Sequence, residues 1–465
     1  MNDMVDNIGL DNTPESKSDI FKVIVIAELL LLVNMHELKV IPTTGGYLSI
    51  GEFVMFAIVV IASVVWLFKP ALRHHTKLIV PVLAILYVSA ASMLLSLHKG
   101  IALRVLFRWS IEGGTLFLAV SLLSNHRIYA NALVRSALLL LTASFIIELG
   151  TLMENNMLIR VSHLFRPKLF YGYYRAMGVF ENPTILGIVS VFGALLALHC
   201  ATKKAIPVYE SILGLISSCG LFILSATLNG WFVVTLVCIT MVMGLLFLKK
   251  WKTPLITVIF IVVAVMLVYH YHPTSRERID ELFNDVSTHA NAAKTTHLRI
   301  MLWKAGVKAW FANPWLGVGP GVFSFRVQDY GPSYLANAGY NAHNGPIGIL
   351  SEIGLIGFEA VAALLYVVFK PLYVSTKGVD RLWIITWFIA LTGSQLIDFT
   401  FYSYSFALYA IIIVVYLYQT CRIPLAEARG STRNSASGKR QESFSGKPVT
   451  NMYMAAIFQR ENQNL

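Results

Sequence analysis

Apolar runs long enough to form buried helices recur along the chain, separated by short polar connections. About 20 apolar residues in a helix cross a hydrocarbon core roughly 30 Å thick. Runs of that kind lie near 20–37, 48–68, 78–97, 101–124, 131–152, 184–200, 208–226, 231–248, 254–271, 345–369, 382–397 and 404–420. The pattern predicts an all-α integral membrane protein of about twelve transmembrane helices. Residues 1–19 form an N-terminal arm, 20–271 spans one to nine, 272–344 a large polar loop and 345–420 spans ten to twelve. Residues 421–465 are rich in Ser, Gly, Asn, Lys and Arg and read as a disordered basic tail. The arm is acidic, with Asp3, Asp6, Asp11, Glu15 and Asp19. A cleavable signal peptide has a basic start, so the first apolar run reads as a retained span.

Composition sharpens this picture. Hydrophobic residues make up 56% of the chain and charged residues 13%, with mean hydropathy +0.65. Soluble domains carry about 25% charged residues, so a water-soluble globule is excluded. Cys200, Cys219, Cys238 and Cys421 sit in or beside apolar runs without ligand spacing. That argues against a disulfide framework and against a zinc site. In such a chain the net charge of +12 bears on topology and on anionic membrane lipids, not on nucleic acid.

Orientation follows from Lys and Arg in short loops. Alternate connections carry Lys69, Arg73 and Lys77; Arg127; Lys203 and Lys204; Lys249, Lys250 and Lys252; and Lys370, Lys377 and Arg381. Short loops of the other set carry only Lys39 and Lys99. The first set is therefore expected inside, with both termini. The long polar stretches 153–183 and 272–344 then lie outside. They hold Arg160, Arg166, Lys168, Arg175, Arg276, Arg278, Lys294, Arg299, Lys304, Lys308 and Arg326. A basic outer surface calls for an anionic partner there.

Within the larger loop, 296–311 has helical period. Leu298, Leu302, Ala305 and Ala309 form one stripe, Arg299, Trp303 and Trp310 the next, with Lys304 and Lys308 one turn apart. The expectation is an amphipathic helix at the membrane interface, stopped by Asn313-Pro314. The glycines of Gly317-Val-Gly319-Pro-Gly321 lack the strand and the Lys-Ser/Thr of a phosphate loop and read as a turn and close-packing element. After Tyr330, Tyr334 and Tyr340, His343 and Asn344 stand at the mouth of the tenth span. Gly354 and Gly357 allow close packing farther into it.

His343-Asn344, nine residues, then Gly354-x-x-Gly357 resembles the signature of the bacterial O-antigen ligase and O-antigen polymerase family. Two further blocks are similar to that family: Arg299 and Trp303 with Asn313-Pro314-Trp-Leu-Gly317-Val-Gly319 and Phe323, and Arg175-Ala-Met-Gly178-Val-Phe180-Glu181-Asn182-Pro183 before the sixth span. The twelve-span layout with a large outer loop between spans nine and ten is similar too, so the resemblance covers roughly residues 100–420. Where the family often has Ser-Arg-Gly at the outer end of a span, this chain has Leu228-Asn229-Gly230.

The resemblance implies glycosyl transfer from an undecaprenyl-diphosphate-linked glycan, on the periplasmic face of the bacterial inner membrane. The acceptor is lipid A–core or another lipid-linked glycan, which leaves ligase and polymerase open. A polysaccharide transporter or flippase is the reading from another class, but no internal repeat supports it. A lipid diphosphate leaving group needs cations that take up developing charge, and the planar fork of Arg suits two phosphate oxygens. Arg175 and Arg299 are the first choices. Arg104 and Arg108, with Glu112 one turn deeper, either line a diphosphate site or form an internal Arg108–Glu112 pair. His343 is either general base toward the acceptor hydroxyl or donor to the diphosphate. Glu181 and Asp398 either orient His343, serve as base, or make local caps and ion pairs. Asn344 and Trp303 complete the substrate-binding set. No Asp-x-Asp pair falls in the outer loops, so direct, metal-independent displacement with inversion and no cofactor is expected.

Overall fold

The computed structural model describes residues 39–43, 46–68, 76–124, 126–153, 176, 180, 182–225, 227–249, 270, 295–332, 341–398 and 403–421. Among them the chain is almost wholly helical. α1 is Ile50–Phe68, α2 Ile79–Leu95, α3 Lys99–Leu123, α4 Arg127–Leu152, α5 Pro183–Lys203, α6 Val208–Ser225 and α7 Leu228–Phe247. The short α8 (Thr295–Ala312) and α9 (Phe323–Tyr330) precede α10 (Gly345–Ser375), α11 (Gly378–Ile397) and α12 (Tyr404–Thr420).

One feature amends the all-α expectation. Strands β1 (Lys39–Thr43) and β2 (Gly46–Ser49) pair antiparallel ahead of α1. Val40 and Ile41 favour strand, as do Tyr47 and Leu48, and Gly45-Gly46 between them is a hairpin signal.

Among the described residues, seven segments are long and apolar enough to cross a membrane: Thr76–Leu95, Lys99–Leu123, Arg127–Leu152, Pro183–Lys203, Val208–Ser225, Asn229–Phe247 and Gly345–Ser375. Glu52–Phe68 and Ser405–Thr420 are shorter apolar helices. α11 completes the set at expected span positions and carries Asp380 in its first turn. The expected spans at 20–37 and 254–271, the N-terminal arm and nearly all of the tail lie outside the described residues. Large apolar side chains such as Tyr87, Leu95, Ile216 and Phe247 are exposed, as suits helices that face lipid.

Local sequence explains the helix starts. Asn182 caps α5, its Oδ1 accepting from Ile185 N at 3.0 Å, with Pro183 as first helical residue. Asn344 and Pro346 repeat the device on α10, where Asn344 Oδ1 accepts from Ile347 N at 3.0 Å.

The expected stripe of α8 is buried, but against protein. Leu302, Ala305 and Ala309 pack with Ala102 of α3, with Val318, Val322, Phe323 and Val327, and with Ala342. Lys304 and Lys308 are exposed. Small residues on this stripe let α8 lie close to α10: a Cβ on Gly306 would meet Ile347 at 2.5 Å. What α8 and its loop leave uncovered is a separate aromatic set, Phe311 and Trp315.

Candidate functional site

The site is assembled on a broken helix. Inside α10, Gly354 has φ +69° and ψ −168°, which no helix tolerates, so the helix runs 345–353 and resumes beyond the break. The break frees backbone groups that need partners, and the glycine turn after α8 supplies them. Val318 N donates to Ser351 O and Gly319 N to Glu352 O, both at 2.9 Å. In return Leu355 N donates to Pro314 O at 2.8 Å and Ile356 N to Trp315 O at 3.3 Å. Glu352, 1% exposed, accepts from Gly321 N at 2.9 Å through Oε2. Ser92 Oγ of α2 donates to Glu352 O at 3.0 Å.

Gly317, Gly319 and Gly321 all have positive φ. A Cβ on Gly317 would sit 2.3 Å from Glu352 carbonyl carbon, and one on Gly354 2.2 Å from Trp315 carbonyl carbon. The turn is thus the close-packing element expected. Gly354 permits close approach as well, through a break in the helix that lets loop backbone in.

This scaffold fixes the residues in front of α10. His343 sits in the left-handed region at φ +46°, which is rare for a non-glycine residue. Trp303 Nε1 of α8 donates to its carbonyl oxygen at 3.3 Å, and Asn344 Nδ2 donates to Leu396 O of α11 at 2.7 Å. His343 Nδ1 lies 2.9 Å from Asp398 Oδ1, where the chain leaves α11 in extended conformation. An ionised carboxylate only accepts, so the ring hydrogen belongs on Nδ1 and Nε2 of a neutral ring is an acceptor. Both side chains keep some access, His343 at 32% and Asp398 at 16% exposure.

Arg299 of α8 is half-buried, one turn before Trp303. Burial pulls its pKa below the usual arginine value, and the charge of Asp398 opposes that shift. With so high an ordinary value the guanidinium stays cationic. The structure thus gathers Arg299, Trp303, His343, Asn344 and Asp398. Trp303 and Asn344, expected to bind substrate, hold backbone here.

The remaining residues stand elsewhere. Arg108 Nε is 3.4 Å from Glu52 Oε1 of α1, with side chains 16% and 1% exposed. The sequence left Arg108 either lining a diphosphate site or paired with Glu112, and did not point to this acid at the head of an apolar run. Arg104 lies one turn before Arg108 on α3. Arg175 and Glu181 fall outside the described residues. Their neighbours are anchored: Ala176 N donates to Leu224 O at 3.1 Å, and Phe180 packs on Tyr409. In the departing Leu-Asn-Gly block, Asn229 is buried, with no hydrogen-bond partner for its amide among the described residues.

An apolar cavity of about 360 Å³ opens between α2, α3, α10, α11 and α12. Val82, Leu116, Ile349, Val361 and Val414 are among its walls, and Glu112 and Gln395 give it a polar edge. Pro346 and Leu396 also line it, and Asn344 is bonded to Leu396. The cavity therefore reaches the segment that carries His343 and Asp398.

Residues 213–362 match the family model described as O-antigen ligase. Over this stretch the chain is similar to the O-antigen ligase family. The resemblance drawn from the motif blocks is borne out over this stretch, which includes Arg299, Trp303, His343, Asn344 and the break at Gly354. Asp398, which completes the pair with His343, lies beyond the match, as do Arg104, Arg108 and Arg175. No curated protein matches the chain. Similarity to that family, together with apolar helices of membrane length, fits a multi-pass membrane protein.

Proposed function

We propose that the protein transfers a glycan from undecaprenyl diphosphate to lipid A–core, or to a related acceptor, at the periplasmic face of the inner membrane. The observation that carries this reading is the gathering of Arg299, His343 and Asp398 next to residues Pro346 and Leu396 of a cavity with apolar walls. A polyprenyl diphosphate has matching chemistry: a long apolar tail and a dianionic head. The tail takes the cavity and the diphosphate takes Arg299, with Arg175 assigned to it on the resemblance.

His343 Nε2 receives the proton of the acceptor hydroxyl. The freed oxygen forms a bond to the anomeric carbon from the face opposite the diphosphate. The bond from that carbon to the phosphate oxygen breaks, and undecaprenyl diphosphate leaves with the electron pair, so configuration inverts. Asp398 stabilises the imidazolium that forms, and Arg299 the charge that grows on the leaving group. Arg104 belongs at the outer edge of the diphosphate site; Arg108, bonded to Glu52, braces α3 against α1. Glu181 is kept as a local anchor of the Arg175 segment.

The polymerase reading uses the same donor site, with a lipid-linked glycan as acceptor. The decisive experiment reconstitutes the purified protein in vesicles with a defined undecaprenyl-diphosphate-linked oligosaccharide and offers lipid A–core and lipid-linked glycan separately. The expected product is glycan joined to lipid A–core, lost in Arg299→Ala and His343→Ala and indifferent to a metal chelator. Elongated lipid-linked glycan selects the polymerase. Translocation without a glycosidic product removes the enzyme reading, and loss of transfer in chelator with recovery in magnesium removes the metal-independent step.

A further inference from the structure

Glu352 is a carboxylate buried in α10 beside its break, and the reaction above makes no use of it. A group of that kind is costly to bury and is normally retained for a specific partner. Its side chain faces the glycine turn. Oε2 takes the Gly321 N–H, while its own carbonyl oxygen takes Gly319 N–H and Ser92 Oγ. Residue 352 is thus gripped by α2 and by two successive glycines of the turn, at the point where α10 breaks.

The turn is the C-terminal tether of α8. Midway along its length α8 makes the bond from Trp303 Nε1 to His343 O, with Arg299 one turn before it. Gly306 lies close against Ile347, and Leu302, Ala305 and Ala309 pack on Val318, Val322 and Phe323 of the turn and α9. Turn and helix are therefore one packed piece, and a shift of the turn is passed along α8. Loss of the Glu352–Gly321 bond removes the side-chain contact among the five that seat the turn in the break, and lets that piece, Arg299 with it, settle differently against Asp398 and His343.

We propose that Glu352 is a positioning residue: its carboxylate locks the 317–321 turn into the break of α10 and so sets the reach of Arg299 over the His343–Asp398 pair. The inference rests on Arg299 acting with His343 as proposed above.

The test is a double-mutant cycle on the full chain in vesicles, with the oligosaccharide donor and lipid A–core acceptor already named. Glu352→Ala is expected to lower kcat about a hundredfold, the scale of an ångström-level misplacement, with membrane insertion and donor KM little changed. Glu352→Gln keeps an oxygen for the Gly321 N–H and is expected to restore most of the rate. Because the residue acts through Arg299, Glu352→Ala added to Arg299→Lys, which keeps a cation and with it a readable residual rate, is expected to cost clearly less than it costs beside the native arginine.

Additive losses overturn the proposal, as does a wild-type rate in Glu352→Ala or a rate in Glu352→Gln as low as in Glu352→Ala. If Glu352→Ala fails to insert, Glu352→Met of similar length takes its place in the cycle. Failure of both, and of Glu352→Gln, shows a carboxylate needed for folding alone and also overturns it. The two readings fail differently: an active Arg299→Ala removes the proposed site, whereas an inactive Arg299→Ala beside a fully active Glu352→Ala removes only this inference.

Discussion

His343 combines a left-handed backbone, a carbonyl held by an indole and a ring nitrogen held by a carboxylate. Such strain persists where neighbours over-determine it, and it clusters at working sites. The carboxylate selects the Nδ1–H tautomer, so Asp398→Asn, whose amide can donate to Nδ1 and favour the other tautomer, is expected to reduce transfer at least a hundredfold with normal insertion, by analogy with oriented imidazole bases elsewhere. Initial rates with saturating donor and acceptor measure it, and near-wild-type rates would show that the pair is only an anchor. Arg299 supports a second prediction, with a sign. Burial favours the neutral form, which lowers a cation's pKa. Arginine tolerates this. In Arg299→Lys the same burial acts on a group whose ordinary pKa is about 10.4. Whatever activity the variant retains should therefore fall as pH rises from about 8 to 10, while the wild type loses none for this reason. A flat ratio of the two rates across that range would show that residue 299 is not buried as described.

Among the elements, α10 decides the arrangement, and its glycines separate strain from contact. Gly354 has φ +69° and backbone of Trp315 where a Cβ would go; Gly378 has φ +55° and open space. Gly378→Ala should cost about 1–2 kcal/mol, the left-handed penalty alone. Gly354→Ala should cost clearly more and abolish transfer, because the 313–321 loop must move out. Thermal unfolding midpoints in detergent, read beside activity, check the pair, and equal shifts would contradict the close approach. The same helix shows what the residues disclosed. Its cap, Asn344-x-Pro346, and the stripe of α8 were legible, because both depend on neighbours within one or two turns. The break was not, since a glycine in an apolar run fits an intact helix as well. Only the five backbone and carboxylate bonds to a segment some 35 residues earlier decide otherwise. Asp398 was named among the groups that could orient His343, serve as base or make a local ion pair, and the choice turns on a bond across a helix hairpin that no local pattern encodes. The Arg108–Glu52 pair escaped for the same reason, and Arg175 and Glu181 remain where the sequence left them.

At the scale of the whole molecule, hydropathy placed the apolar helices among the described residues well, because apolar length is a property of each segment alone. The β1–β2 hairpin was overlooked beside the apolar runs that dominate the pattern. The cavity was not legible at all, because five helices distant in sequence leave it between them. If it houses the carrier's tail, filling it should weaken donor use selectively. Ala362 lines it, and Ala362→Trp is expected to raise the donor KM about tenfold or more, the loss of a few buried methylenes, with the acceptor KM unchanged. Steady-state kinetics with each substrate varied in turn tests this, and equal effects on both would assign the cavity to packing only. The interruption at Gly354 also sets a height. At 1.5 Å per residue the piece 355–375 measures about 32 Å, already the thickness of hydrocarbon. The piece 345–353 adds roughly 13 Å of helix beyond that length, like a post above a floor. On the proposed reading His343, at the start of that piece, meets the acceptor at headgroup depth, where a sugar hydroxyl is at home and an acyl chain is not.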